Sequence, residues 1–569
     1  MKSSLRMRLL PWIVGSLFAA SAAFAQNTSS SLSGRIVDAA GNPVAGATVE
    51  IVHVPSNTSR TVVTDAEGRY AAQGLRVGGP YDVKASGDHG EKVEQEDVFL
   101  KLAEETTLNL TAVGGTATEL EGVTVTAAAP GATFQADNKG LSSNVSQREL
   151  KVIPNPNRSI QDIARTDPHI VLTSVGRGEI SALGQNSRYN NITIDAVPTN
   201  DSFGLEANGL PALNQPLSFD AIEEYNISTM NYDVTNKRSV GANVNIVTKS
   251  GTNEFHGDAY YAYTNADDLT SDEPSDYKGY SAKKTYGATF GGPIIKDKLF
   301  FFLSYEEAKT LAPGPAYGPI GSGASNVVNI SEDDINRIIG IANGYGLTPG
   351  SLGASDANQD NKLYLAKLDW NISDGHRASL RYNETKSDQP IIQTFNANTL
   401  SLSSYSYVQQ RDLKSYVLNL YDDWTDTFST EGSFSYSKYD AVSHTLADQP
   451  QIQVCTDPSG CSSTNPSLFL GTDQFRHYNV LGVKTWNGFL AGSWFLGDHT
   501  IKAGLDFQRD MYFNLFGRTE FGAYQFASID DFAAGNYSSF SLYRPTNGSI
   551  NSIAANWRLD QWGLFVQDT

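Results

Sequence analysis

The sequence predicts a mainly β protein in three parts: an N-terminal β-sandwich, a compact α+β domain, and the first strands of a transmembrane antiparallel β-barrel. Three observations predict it. Within residues 31–112, short β-prone runs recur at intervals of roughly ten residues between Gly, Pro, Asn and Asp turns. Residues 135–250 mix a short helical run with isolated strand-like pieces and long polar loops. From Asn253 onward, paired segments of roughly ten residues alternate apolar with polar side chains and are rich in Tyr, Phe and Trp.

The chain starts with an export signal. Lys2, Arg6 and Arg8 precede an apolar run at 9–18, and Ala23-Phe24-Ala25 supplies a small-x-small site, so cleavage is expected between Ala25 and Gln26. An uncleaved anchor is the alternative; the short apolar core ending in small residues disfavours it. No later stretch is apolar for long enough to span a bilayer as a helix, so any crossing is made by strands. The formal charge of −20 gives phosphate backbones nothing to bind, which excludes nucleic acid as a partner.

In the first domain, Ser33-Gly34-Arg35-Ile36-Val37 is a strand, residues 38–43 are turn chemistry, and 44–51 alternate into a core. Residues 61–64, 70–74 and 81–85 continue the rhythm. In the second, Ser159 is placed to cap a helix over 160–164, and 191–195, 221–229 and 244–249 are strand-like. In the third, Ile501, Ala503, Leu505 and Phe507 share one face; Lys502, Asp506 and Gln508 share the other with Gly504. Short turns such as 371–376 alternate with long polar loops such as 309–358. A secreted soluble β-protein would also alternate, but the loop-length asymmetry and the aromatics at strand ends favour an outer-membrane barrel.

Between the first two domains, in the linker at 113–134, Val123, Thr124, Val125 and Thr126 are strand formers with low-complexity flanks. They form either the last strand of the sandwich or a strand that adds to a partner's sheet. Cys455 and Cys461 lie close together in a polar turn. In an exported chain they are expected to staple an outer loop as a disulfide, whereas two thiols without a nearby histidine make a poor metal site. Asp356, Asn358 and Asp360 have the D-x-N-x-D spacing of a Ca²⁺ loop but lack its Gly and Glu, and an Asx turn explains them equally well. No other cofactor or metal is expected. None of the eight histidines begins an H-x-x-E or H-x-x-H pair, and Walker A and G-x-S-x-G motifs are missing, so no enzyme is predicted. The carboxylate pairs Asp267-Asp268 and Glu306-Glu307 are expected to be solvated or lumen-facing.

G-R-I-V-D-A-A-G-N-P-V-A-G-A-T-V and T-D-A-E-G-R-Y resemble the carboxypeptidase regulatory-like domain, a non-catalytic β-sandwich with a carbohydrate-binding-like fold. I-T-I-D-A-V-P-T-N-D (192–201), F-D-A-I-E-E-Y-N-I (219–227), G-A-N-V-N-I-V-T-K-S-G-T-N-E-F-H-G (241–257) and G-G-P-I-I-K-D-K-L-F-F-F (291–302) resemble TonB-dependent outer-membrane receptors, in the Oar-like branch. One departure is Ala196, where many plugs have Gly after the Asp. The resemblance implies a signal peptide at 1–25, the regulatory-like sandwich at 31–112, a TonB box in the linker, a plug at 135–250 and a barrel from 251 to 569. Glu121, Gly122, Val123, Thr124, Val125, Thr126 and Ala127 then resemble the box itself.

The implied function is energised import. An extracellular ligand binds plug and outer loops, and TonB, with its inner-membrane complex, pulls the periplasmic box to open the plug. The alternative is a surface barrel acting in adhesion or protein interaction. Siderophore, cobalamin, saccharide and peptide all remain open as ligand. The resemblance also implies 22 barrel strands, whereas about ten are countable after Asn253 and the sequence stops within an alternating strand, so a fragment of a longer barrel is expected.

Overall fold

The structure is a computed structural model describing residues 28–114 and 140–569, apart from 103, 156, 175–177, 238–239, 267–279, 315, 353–356, 393–394, 458 and 498. Eight short strands between Ser30 and Gly114 form the sandwich-like first unit. Its sheet path runs Thr58–Val63, Thr48–His53, Gly78–Ser86, Glu91–Leu100, Leu110–Gly114, Ser30–Asp38, Arg69–Leu75, with Glu105–Thr107 alongside Ser30–Asp38. In Thr48–His53, Val49 and Ile51 point inward and Thr48 and Glu50 outward, joining Leu32, Ile36, Val83 and Leu100 in one apolar core. The strand expected from Val44 begins only at Thr48. Gly46 takes a positive φ of 70°, and that turn ends the extended run.

The second unit is a five-stranded mixed sheet, in the order Val197–Pro198, Asn191–Ile194, Asn243–Thr248, Ile222–Asn231, Gly140–Ser146. A capping box of Ser146 and Glu149 starts the helix Gln147–Leu150. Ser159 caps Ile160–Ala164 by accepting from the Gln161 amide, as the sequence predicts.

Ten antiparallel strands follow in chain order: β1 (His256–Asn265), β2 (Ala282–Ile295), β3 (Leu299–Leu311), β4 (Gln359–Ser373), β5 (His376–Ile391), β6 (Tyr407–Thr425), β7 (Phe428–Thr445), β8 (Tyr478–Leu496), β9 (His499–Gly517) and β10 (Ala555–Asp568). Turns of two or three residues join them at one end and long loops at the other. Among the described residues, β1 and β10 do not pair with each other.

Register builds this sheet inside out. Leu368, Leu380, Leu418 and Phe434 stand opposite one another across β4–β7, all exposed. The inward row Asn383, Ser415, Ser437, Thr485, Asp510 crosses β5–β9. Leucine faces outward because lipid is the solvent there, and backbone groups pair strand to strand because lipid cannot satisfy them. Tyr382, Tyr416, Tyr436 and Trp486 form an aromatic row toward the loop end. Trp370, Trp424 and Trp494 lie by the short turns. Tyr416 and Trp424 lie about 26 Å apart along one strand at ordinary strand rise, the scale of the roughly 25 Å apolar band that a tilted strand crosses.

The long loops are not plain coil. Residues 309–358, expected as a polar loop, carry the helix Glu332–Gly344, capped by Ser331. It packs with a five-stranded sheet of Thr399–Ser401, Ser467–Leu470, Gln451–Cys455, Ala523–Phe526 and Ser539–Ser541 around Ile335, Ile338, Leu400, Val454, Leu468 and Phe532. Four loops thus make one small folded unit beyond the loop end of the strands. The sandwich sits at the opposite end, where Arg60 pairs with Asp423 at 3.2 Å and Asn57 donates to Asp297 at 3.1 Å.

Candidate functional site

The second unit sits where a plug would, and side-chain pairs hold it against the inner wall of the strands. At its centre, Ile194 and Val197 pair across the two-residue turn Asp195-Ala196, whose φ values of 47° and 67° are both left-handed. This turn aims the Asp195 carboxylate at the wall. There it accepts from the Thr248 amide at 2.9 Å, the Thr248 hydroxyl at 2.7 Å and the Arg381 guanidinium of β5 at 2.9 Å. Lys367 of β4 donates to the Thr248 carbonyl at 2.9 Å. Three more anchors surround it. Glu306 of β3 accepts from Tyr260 at 2.6 Å and Ser218 at 2.9 Å and lies 3.3 Å from Arg158. Lys237 pairs with Asp506 of β9, and Arg411 of β6 with Glu206.

All of these charged groups are deeply or largely buried, so each ion needs its partner. The net worth of a buried pair is modest, but removing one member strands the other. The set therefore fixes the position of the plug-like unit within the strands. Between these anchors, plug residues 197–202 face the Asn383–Asp510 row across a narrow cleft of about 50 Å³. The cleft is lined by apolar Val197, Leu413 and Val483 together with hydroxyl, amide and carboxylate groups such as Ser415, Asn383 and Asp510.

On the sandwich side, the Glu224 carboxylate accepts from the Leu102 amide at 2.8 Å. Burial, with Glu223 and Glu104 nearby, pushes Glu224 up to about 8. His53 is held well below the usual imidazole range, first by burial and then by Arg76 and Arg377.

The residues singled out from sequence fall as follows. Ala25, Gln26 and the box residues 121–127 lie outside the described residues, as do Asp356, Asp267 and Asp268. Asn358 accepts from the Ala312 amide at 3.2 Å while Asp360 pairs with Lys362 at 3.1 Å, so the two serve different neighbours. Cys455 and Cys461 are joined in a disulfide with Cα atoms 5.3 Å apart, Cys455 lying buried at the end of Gln451–Cys455, the central strand of the outer sheet. Glu306 and Glu307 point to opposite faces: Glu306 grips the plug, while Glu307 meets Lys309 at 2.8 Å outside. Sequence reading missed Arg158, Asp195, Arg381 and Lys367. A signal existed, since Lys367 and Arg381 are cations at mid-strand on the polar face, but their partners come from a separate domain.

Comparison with known proteins agrees with this architecture. Residues 31–113 match the carboxypeptidase regulatory-like domain, and residues 247–317 and 342–569, more than half of the chain, match the outer membrane beta barrel domain. The TonB-dependent transporter Oar of Myxococcus xanthus is 27% identical over 398 residues, 66% of this chain and 35% of the relative, so the chain spans about a third of that protein. The outer membrane transporter YddB of Escherichia coli shares the fold at a TM-score of 0.55 and 12% identity, over 75% of this chain and 54% of its own. With leucines turned to lipid and a second unit pinned within its strands, the chain belongs to the outer-membrane β-barrel family, is similar to the TonB-dependent transporter Oar, and resides in the Gram-negative outer membrane.

Proposed function

We propose that this chain binds an extracellular ligand and imports it when TonB pulls the segment Glu121, Gly122, Val123, Thr124, Val125, Thr126, Ala127. The observation that carries the reading is the buried Asp195–Arg381 pair with its neighbours at Thr248 and Lys367. A domain that closes a lumen through separable pairs suits a gate opened by force. The box precedes in sequence the plug strand Gly140–Ser146, which is hydrogen-bonded to Ile222–Asn231, so tension on the chain there reaches the plug sheet. Backbone pairing with a partner's sheet edge supplies the grip. The sandwich lies with the short turns, on the side we assign to the periplasm.

The folded outer unit favours a second reading, surface adhesion, because a packed sheet presents a fixed contact face. Deleting residues 121–127 separates the two. Energy-dependent uptake is expected to stop while surface binding persists. Uptake that continues after the deletion excludes the box as the TonB contact.

A further inference from the structure

We propose, resting on the import reading, that the N-terminal sandwich is a second gate, latched over the short-turn mouth and released when the plug opens. Three sets of contacts place it there. Against the turns, Arg60 pairs with Asp423, Asn57 donates to Asp297, and the Asn253 amide and side chain donate to the carbonyls of Pro55 and Ser56 at 2.9 and 3.0 Å. Against the inner wall, Arg76 lies 3.4 Å from the buried Asp369 and donates to Asn371 at 3.0 Å, while Arg377 donates to the Gly74 carbonyl at 2.7 Å. Against the plug, Glu224 accepts from the Leu102 amide, and Asn144 donates to Glu104 at 2.7 Å.

Below the plug these surfaces line a partly open cavity of about 420 Å³ that includes His53, Arg76, Asp195, Lys249, Lys367 and Arg377. A solute passing the plug at the Asp195 turn enters this space and meets the sandwich next. The seal is built to open. Apart from the small apolar cluster of Val77, Leu102 and Val247, the contacts named above are hydrogen bonds and ion pairs. Such an interface is polar, of the kind that permits relative domain motion. The chain path supplies the means. The segment 115–139 leaves the sandwich strand Leu110–Gly114 and enters the plug strand Gly140–Ser146, so tension within it loads both bodies at once.

Two cysteine pairs in the full-length protein, expressed in Gram-negative cells with TonB, test this. Asn57→Cys with Asp297→Cys reports the sandwich latch, and Val234→Cys with Gln567→Cys reports the plug against β10, where the Val234 amide donates to Gln567 at 3.0 Å. With the proton gradient collapsed by a protonophore, both cross-links should form. In energised cells both should be lost, and deletion of 121–127 should bring both back. A plug pair that opens while the sandwich pair stays closed overturns the gate and leaves import standing. If neither pair responds to the gradient, both ideas fall. A sandwich pair that never forms in resting cells overturns the latch outright.

Discussion

The sandwich and the barrel strands share a period of two and face their solvents in opposite ways. In the sandwich Val49 and Ile51 are buried and Glu50 is exposed; on β9 Asp506, Gln508 and Asp510 are buried and Leu505 is 43% exposed. The alternation is the same in both. Water selects which face becomes the core in one unit, and lipid outside with a plug inside selects it in the other. A polar core is the more demanding, because every inward charge needs a partner: for Arg381, Glu306 and Asp506 it comes from the second unit, for Asp369 from the sandwich, and for Asp510 from the strands themselves.

The largest effect should follow from removing one such partner. Arg381→Met leaves the Asp195 carboxylate buried and short of its cation, a loss of roughly 3–5 kcal/mol. Proteolysis of the plug in the purified full-length chain should accelerate, and Asp195→Asn in the same chain should restore much of the resistance. Equal protease resistance in Arg381→Met and the parent would mean that the pair does not hold the plug. The mirror test acts on the outer face. Leu418→Arg puts a charge toward lipid and should cost about 2–4 kcal/mol, read as a lowered temperature of the heat-modifiable band shift. Thr48→Arg on the exposed sandwich face should stay within about 0.5 kcal/mol.

How much of this was legible in the sequence follows the same division. Alternation over long runs exposed the strands, so about ten could be counted before the structure showed ten. Ser159 announced its helix because a cap is local chemistry. The outer unit was invisible. Its sheet is assembled from runs of three to five residues in separate loops, Thr399–Ser401 and Ser539–Ser541 among them, and none shows a period by itself. The anchors Arg158, Asp195 and Arg381 were hidden for a related reason: pairing across domains leaves no trace in spacing along the chain.

A subtler test sits where sandwich and plug meet. Glu224 has its folded value raised to about 8, so the docked state holds a proton that the free carboxyl gives up near 4.5. Docking is therefore strongest below the lower value and weakens as pH rises through the upper one. The groups facing Glu224 are Glu223, Glu104, Lys101 and the Leu102 amide. Between about pH 5 and about pH 8 the contact should lose roughly 3–4 kcal/mol, read as hydrogen exchange at the Leu102 amide. Glu224→Gln should flatten this dependence, and a Gln variant with an unchanged pH profile would assign it to another group.

The smallest expected effect concerns the turn that aims Asp195. Ala196 holds φ at 67°, where a Cβ crowds the following carbonyl, and turns of this type usually place Gly second. Ala196→Gly relieves that crowding but gives up a buried methyl and adds freedom to the unfolded chain, so the terms nearly cancel. Gly should be at least as stable as Ala. Ala196→Val keeps the crowding and adds a branch at Cβ, which the left-handed region accepts poorly, at about 1–2 kcal/mol. The order Gly at or above Ala, with Val well below, is the prediction, measured as protease resistance of the plug in the full-length chain. Val equal to Ala would show that the turn is not left-handed, and the aim of Asp195 at Arg381 would need another source.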